Sequence, residues 1–355
     1  MTQKETYRET LANLVAKQND GASSVSAKKE LEALSTSLVP RMLYRYRPPS
    51  EYAFADLENA TVTFSHPKVF SDQCDSVPIY NWNGIDEIES NLNDDEQALK
   101  IINQIDFRRL AFVLGVLGAP FNPTRIDEFE ILSDEGRVSL FRSAVKNLRL
   151  FVGGFVAPVH QNSCRNCCRI LCLTDNPSDS NMWNVYSESQ AGFVLAYDRE
   201  AIRNCNIANG MRTELLPILY DDEPFNCDPQ IAWTAARMLG LNVSSDDMLS
   251  DLRAIYRKGS VFERENEYRA RLVPEPDELE MNYVQRPCKP LRVILGSRMT
   301  QEDKELCICA ANKLDIPVDE LFYYESFGLF AVLIQVQLAA TGVAAFRIYY
   351  KQGKG

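Results

Sequence analysis

Basic residues are scarce in this sequence relative to acidic ones, and histidine is almost absent. Lysine and arginine together number 38 against 49 aspartates and glutamates, and the chain has 2 histidines and a net charge of -11. A protein that binds nucleic acid through the phosphate backbone needs a positive field. The composition therefore excludes broad electrostatic binding of nucleic acid, although a local basic patch could still form.

The 10 cysteines do not provide a clear metal site. Four of them fall in one short window and the others are scattered singly; the four are Cys164, Cys167, Cys168 and Cys172. A structural zinc site usually needs a second pair of cysteine or histidine ligands at suitable spacing. His160 could complete a mixed site, but we predict no metal, and Cys172 in the apolar run 170–173 is typical of a small core residue.

A secretory leader and a membrane span are also missing from the pattern. Residues 1–19 are polar and typical of a helix, so we expect no export signal, reduced thiols and a cytoplasmic protein. The most apolar stretch, 327–345, is interrupted by Gln335, Gln337 and Thr341. We interpret this stretch as a buried strand or helix and expect no membrane partner.

The composition and the hydrophobic periodicity predict a folded protein with both helices and strands. An apolar share of 45% and a charged share of 25% are typical of globular proteins. Alternating runs bounded by turn residues predict strands, and longer amphipathic runs between them predict helices. We expect an α+β fold with a twisted, mainly antiparallel sheet core, helical layers and an N-terminal helical appendage.

The expected divisions are an N-terminal helical appendage at 1–40, a single α+β domain at 41–330 with a helical insertion at about 84–155, and an apolar tail at 331–355. The appendage carries two amphipathic stripes, which could support a homo-oligomer. The predicted strands are 41–47, 61–65, 170–174, 192–197, 215–220, 291–295 and 321–324. The predicted helices are 96–117, 137–152, 182–186, 201–205, 231–239, 246–256 and 301–314.

Three glutamates alternate just before a strand-like run. They are Glu263, Glu265 and Glu267, and the run continues through Tyr268 to Leu272. If the glutamates continue the strand, their carboxylates project from one face roughly 6 to 7 Å apart. Like charges at that distance need nearby cations, a shared proton or a cationic ligand. The simpler alternative is a solvated edge strand whose charges discourage pairing with other chains.

Several short motifs occur in an order that resembles the bacterial domain-of-unknown-function 2971 family over about residues 41–330. These motifs are LYRYR (43–47), TFSHP (63–67), FSD (70–72), CLT (172–174), MWNVY (182–186), GFV (192–194), LYD (219–221), ENEYR (265–269) and VILG (293–296). The family name states no function, so the chemistry has to come from the residues.

The arrangement is also similar, more loosely, to ADP-ribosyltransferase-like folds. That resemblance implies NAD as co-substrate, held by a basic residue on the first strand and a small hydroxyl on the second. It also implies a late strand with Glu-x-Glu, of which the last glutamate binds a ribose hydroxyl. The corresponding residues here are Arg45, Ser65, Glu265 and Glu267.

The physical chemistry of this assignment is consistent with glycosyl transfer. Cleaving the bond to nicotinamide develops positive charge on the ribose, which a fixed carboxylate such as Glu267 stabilises most in the transition state. Arg45 or Arg47 could bind the pyrophosphate through paired donors. Trp183 or Tyr186 could stack on the nicotinamide or adenine ring.

Each of these residues also has a structural interpretation. Arg45 and Arg47 could pair with Glu265 and Glu267 as an ion network. Trp183 and Tyr186 could belong to the core, and Ser65 could be a strand-end residue that bonds a local amide.

Three functions from different classes follow. The first is an NAD-dependent ADP-ribosyltransferase that modifies a protein or nucleic-acid acceptor, as a bacterial toxin or antiphage defence effector. The second is a non-catalytic interaction or sensor module of a defence system, in which the same motifs only stabilise the fold. The third is a metal-dependent nuclease, with magnesium held by Glu263, Glu265, Glu267 and Asp72 or Asp75.

Overall fold

An eleven-stranded, mainly antiparallel sheet is the principal element of the computed structural model. The structure describes residues 29–30, 33, 35–72, 75–77, 83–104, 115, 131–145, 147–220, 222, 254–323, 331–338 and 344–349. Numbered along the chain, the strands are β1 (Met42–Arg47), β2 (Thr61–Ser65), β3 (Arg169–Thr174), β4 (Phe193–Asp198), β5 (Glu214–Pro217), β6 (Leu219–Tyr220), β7 (Arg257–Lys258), β8 (Glu267–Leu272), β9 (Tyr283–Pro287), β10 (Arg292–Leu295), β11 (Val318–Tyr323), β12 (Ala331–Leu338) and β13 (Ala344–Tyr349). All but the short β6 and β7 belong to this sheet.

The sheet branches at β3. The order is β13-β12-β11-β10-β4-β1-β3-β2-β9, and β8 followed by β5 extends from β3 as a side branch. β3 pairs with β8 along six residues, but with β1 and with β2 at a single position each. Within the described part of this sheet β10 and β11 run parallel and the other pairs are antiparallel. The predicted α+β class is therefore confirmed.

The helices follow the capping signals of the sequence. They are α1 (Glu51–Glu58), α2 (Asn83–Asn93), α3 (Asp95–Gln104), α4 (Asp134–Val145), α5 (Leu148–Phe151), α6 (Ala157–Asn166), α7 (Ser180–Tyr186), α8 (Arg199–Asn204) and α9 (Gln301–Lys313), and a π-helical turn (Val152–Val156) joins α5 to α6. Ser50, Asp179 and Thr300 each accept a hydrogen bond from a first-turn amide of the helix that follows. Such caps satisfy amides that have no partner within the helix.

The chain forms two compact units. One comprises residues 1–30, 74–165 and 221–257, and the other comprises 31–73, 166–220 and 258–355. The second unit contains the whole eleven-stranded sheet. The described helices α2 to α5 lie in the first unit, where the sequence predicts a helical insertion. The domain boundaries given above stay a prediction.

Apolar residues cover both faces of the sheet. The larger cluster includes Leu43, Leu171, Leu195 and Ala270, and helices α1 and α9 contribute to it. On the other face Trp183 of α7 packs with a smaller group; these residues are Tyr46, Val194, Ile294 and Leu321. Because successive strand residues point to opposite faces, β1, β4, β10 and β11 contribute side chains to both clusters.

Strand prediction succeeded where alternation was clear and failed at the glutamates. Ser260–Glu265 forms a 3-10 helix, Asn266 has a left-handed φ of 43°, and β8 begins at Glu267. Glu263 and Glu265 therefore do not continue the strand, contrary to that prediction. The expected strand 215–220 is divided at Ile218 into β5 and β6. β9 was not predicted from the sequence.

The two ends of the chain are described only in part. The apolar tail contains two strands, β12 and β13, in agreement with the prediction of a strand or helix there. Most of the predicted N-terminal appendage lies outside the described residues. The same holds for residues 105–114 and 116–117 of the helix predicted at 96–117, for the helix predicted at 231–239, and for residues 246–253 of the helix predicted at 246–256. Among the described residues, no helix has both the length and the apolar character that crossing a membrane requires.

Candidate functional site

The ammonium group of Lys258 lies between two of the three glutamates singled out in the sequence. Its Nζ is 2.6 Å from Oε2 of Glu265 and 3.0 Å from Oε2 of Glu267, and it donates a hydrogen bond to each. All three side chains are nearly buried, with 8%, 9% and 5% of the side-chain surface exposed for Lys258, Glu265 and Glu267. One cation therefore bridges two carboxylates, one at the end of a 3-10 helix and one at the start of β8.

Arg269 supplies a second buried cation. Its Nε donates to Oε1 of Glu267 over 2.6 Å, and its side chain is fully buried. We call Lys258, Glu265, Glu267 and Arg269 the ion cluster. Its two positive and two negative groups balance, which is the arrangement that makes burial of charge tolerable.

The electrostatics of the ion cluster favour the charged forms of Glu267 and Lys258. Burial alone raises the pKa of Glu267, but the charges of Arg269 and Lys258 outweigh it and hold that pKa at about 2. Burial lowers the pKa of Lys258, while the charge of Glu267 and the hydrogen bond to Glu265 raise it well above its usual value. Both shifts have the direction expected of a close ion pair.

Aromatic side chains surround the ion cluster. The Tyr186 hydroxyl donates to Oε1 of Glu265 over 2.8 Å, and the amide of Glu267 donates to the Tyr220 hydroxyl over 2.7 Å. The Lys258 ammonium lies 4.7 Å from the ring centroid of Phe262. Tyr186 is 38% exposed, so its side chain reaches the surface.

The local backbone explains how two glutamates that are not on one strand reach the same lysine. Glu265 ends a 3-10 helix, and the left-handed conformation of Asn266 reverses the chain before Glu267 starts β8. Asparagine tolerates this conformation better than most residues. The turn thereby brings both carboxylates onto Lys258.

Arg45 and Arg47 do not join the ion cluster. Both lie near Asp56 of α1, whose Oδ2 is 3.8 Å from Nη1 of Arg45 and 3.0 Å from Nη2 of Arg47. The ion network that the sequence suggested between these arginines and Glu265 or Glu267 is therefore wrong.

The register of the sheet explains this separation. Glu267 is opposite Thr174, and Thr174 is opposite Tyr44. Directly paired residues share a face of the sheet, while neighbours along a strand alternate. Arg45 therefore projects from the opposite face to Glu267, and the structure does not bring the two predicted groups together.

The remaining predicted residues lie in three different settings. Ser65 is the last residue of β2, where it pairs with Tyr283 and with Ile170. Trp183 is fully buried, and its indole NH donates to the carbonyl oxygen of Pro177. Of the two aromatic candidates, only Tyr186 combines exposure with a direct bond to a predicted glutamate.

Three residues that were not predicted from the sequence take part in the ion cluster or in the contact with Arg45 and Arg47. Lys258 and Arg269 hold the glutamates, and Asp56 lies beside the arginines. Arg269 lies two residues after Glu267, so strand alternation could have placed it on the same face. Asp56 lies three residues after Ala53 on α1, and this spacing places the acid on the same helix face as a buried apolar residue. Lys258 has no comparable sequence signal.

The cysteine window does not form a metal site in the part of the chain that the structure describes. Cys164, Cys167, Cys168 and Cys172 all carry thiols rather than disulfides. Arg271 donates to the sulfur of Cys167 over 3.8 Å. Throughout the described ranges, no group of three or more His, Cys, Asp or Glu side chains is placed to hold a metal ion.

Comparison with known families identifies one match. The model of a family described as "Protein of unknown function (DUF2971)" matches residues 182–270. This range includes residues 182–186 of α7, all of β4 and the glutamate motif, and it confirms the resemblance over that part of the chain. No curated protein and no solved structure matched the chain. The looser similarity to ADP-ribosyltransferase-like folds stays a prediction.

Proposed function

We propose that this chain is a non-catalytic sensor or interaction module in which the glutamate motif stabilises the fold. One observation carries the proposal: the protein's own Lys258 and Arg269 compensate Glu265 and Glu267 inside a nearly buried cluster. A charge-balanced buried group of this kind fulfils a structural need without a ligand.

The charge balance argues against glycosyl-transfer chemistry at these glutamates. A carboxylate accelerates the loss of nicotinamide when its negative charge is available to the developing cation on the ribose. Glu267 instead accepts hydrogen bonds from Lys258 and Arg269. Its charge is already compensated before any substrate binds.

The pKa values argue against proton transfer in the same cluster. A general acid or base works best when its pKa lies near the working pH. The pKa of Glu267 is held at about 2, and that of Lys258 is raised above its ordinary value. Neither group exchanges a proton readily near neutrality.

A second candidate is the NAD-dependent ADP-ribosyltransferase, which one observation favours. Tyr186, Glu265 and Glu267 were predicted as parts of one site, and Tyr186 bonds directly to Glu265 beside Glu267. A partly exposed ring next to two carboxylates could hold a nucleoside. The magnesium nuclease has no comparable support, because cations of the protein already hold Glu265 and Glu267. A role in bacterial defence and a cytoplasmic location stay predictions.

Measurement of nicotinamide release separates the two candidates. The purified full chain is incubated with NAD and a mixture of proteins and nucleic acids, and released nicotinamide and ADP-ribose mass increments are recorded. We expect no release above the blank, and we expect Glu267→Gln to lower the midpoint of thermal unfolding. Glu263→Gln is the matched control, because Glu263 is exposed in the same motif.

Release by the wild-type chain that disappears in a folded Glu267→Gln variant would refute the non-catalytic proposal and establish the second candidate. An arm with EDTA and labelled nucleic acid tests the nuclease in the same samples. Nucleic-acid cleavage that EDTA abolishes would also overturn the proposal.

A further inference from the structure

Arg45 and Arg47 carry buried hydrogen-bond donors that the described part of the protein does not satisfy. Nη1 of Arg45 and Nε of Arg47 are both buried without a hydrogen-bond partner. Of the two side-chain surfaces, 12% and 13% remain exposed. Buried donors are nearly always satisfied in folded proteins, so each exception needs an explanation.

The nearby carboxylate does not resolve this imbalance. Asp56 Oδ2 approaches Arg47 and Arg45, but it accepts no hydrogen bond. The other oxygen, Oδ1, accepts hydrogen bonds from Thr61, Thr63 and Gln285. Asp56 is therefore oriented by neutral donors, and the guanidinium donors remain available.

The local charge is also unbalanced. Among the residues that the structure describes, two guanidinium groups face one carboxylate, that of Asp56, which leaves one positive charge in excess in a nearly buried position. Burial and the charge of Arg45 lower the pKa of Arg47 to about 10 despite the neighbouring Asp56. A bound anion would relieve both the repulsion and the missing hydrogen bonds.

We propose that Arg45 and Arg47 form a binding site for an oxyanion group, a phosphate or a carboxylate of a small molecule. The two side chains leave the same face of β1, because they are two residues apart on one strand. Guanidinium groups suit such ligands, since their planar donors can bind two oxygens at once. A singly charged oxyanion would complete the charge balance with Asp56. The exposed fraction of each side chain provides the approach from solvent.

This inference rests on the proposed sensor role in one respect: the oxyanion would be the ligand that the sensor detects. It uses the face of the sheet opposite to the ion cluster. Anion binding and NAD turnover are therefore measured in separate experiments. A negative result for anion binding does not affect the proposed function, and NAD turnover would not affect the anion site.

Thermal unfolding in the presence of inorganic phosphate tests the site. Sodium acetate is a second arm, and sodium chloride at matched ionic strength controls for screening. We expect phosphate, acetate or both to raise the unfolding midpoint of the wild-type chain in a saturable manner, because a ligand of the native state stabilises it. A response to phosphate alone identifies a tetrahedral oxyanion, and a response to acetate alone identifies a carboxylate.

Two variants and one control locate the effect. Arg45→Gln and Arg47→Gln should each lower the affinity for the anion by about tenfold or more, because each removes charge-assisted hydrogen bonds. Arg41→Gln should leave the affinity unchanged, since the Arg41 side chain is 90% exposed and pairs with Asp198. The absence of a saturable effect beyond chloride, or an effect that both variants retain, would overturn the proposal.

Labelling of the wild-type chain gives a measurement that does not depend on the variants folding. Phenylglyoxal modifies arginine side chains, and peptide masses report each position. The anion that stabilises the protein should protect Arg45 and Arg47 and leave Arg41 reactive. Equal modification of Arg45 and Arg47 with and without that anion would contradict the site.

Discussion

Glu267 lies directly opposite Thr174 in an antiparallel pair, and Thr174 is in turn opposite Tyr44 on the strand that carries Arg45. This register places the glutamate on the face of Tyr44 and the arginine on the other face. Charges that a sequence motif analysis combines into one site therefore belong to two separate groups, each with its own counter-charge.

Replacement of Lys258 tests the ion cluster. Lys258→Met leaves Glu265 and Glu267 buried with less positive charge, so we expect the free energy of unfolding to fall by about 3 kcal/mol or more. Lys258→Arg keeps the charge and should cost clearly less. Urea unfolding of both variants measures the difference. A Met variant as stable as the Arg variant would show that the charge of Lys258 is not needed there.

Acid should destabilise the protein through Glu267. Its pKa of about 2 in the folded chain lies below the ordinary value of 4.5. The stabilisation that ionised Glu267 provides is complete above the unfolded-state pKa of 4.5. It is lost as the pH falls from that value through the folded-state pKa of about 2. We expect a loss of about 3 kcal/mol between about pH 5 and pH 2. Glu267→Gln should lack this component in urea titrations across the same range, and an unchanged acid response would contradict the assignment.

Asp56 should stabilise the folded chain by compensating the charges of Arg45 and Arg47. Asp56→Asn removes the one carboxylate beside two nearly buried guanidinium groups, which should cost about 3 kcal/mol. Adding Arg47→Gln should recover at least about 1 kcal/mol of that loss, because the sites are coupled. Glu58→Gln on the same helix is the control and should not change the unfolding midpoint, since Glu58 is exposed. Strict additivity of the two changes would exclude the coupling.

Gly192 is a position at which any side chain should be destabilising. A Cβ atom there would lie 2.0 Å from the carbonyl oxygen of Arg47, and this backbone atom belongs to a paired strand. We expect Gly192→Ala to cost about 2 kcal/mol or more in calorimetry or urea unfolding. Gly154→Ala is the matched control, because nothing lies within 4 Å of the added atom. Equal stability of the two variants would contradict this packing.

The sequence predicted those features of the fold that depend on short-range pattern. Alternation in 42–47 and 61–65 identified β1 and β2, and Thr300 marked the start of α9. The division of β5 from β6 and the turn at Asn266 depend on single residues within otherwise strand-like runs. The alternation rule has no means of detecting them.

The candidate site was predictable only in its local part. Tyr186, Glu265 and Glu267 do lie together, and motif order pointed to them. The partners of the charges were predictable only in part. Alternation could have placed Arg269 beside Glu267, but Lys258 reaches the glutamates through the 3-10 helix and the turn between them, which alternation does not describe. Pairing of β8 with β3 instead of β1 determines which face Glu267 occupies, and no composition or spacing records that choice.

The branch in the sheet has a consequence for how this unit opens. β3 meets β1 and β2 at one paired position each, whereas β4 holds β1 along six. The main-chain pairing of β3 with β1 and with β2 is therefore much shorter than that of β1 with β4. Thermal fluctuation should separate β3 from β1 and β2 first. The amide hydrogens between these strands should therefore exchange with water before those between β1 and β4.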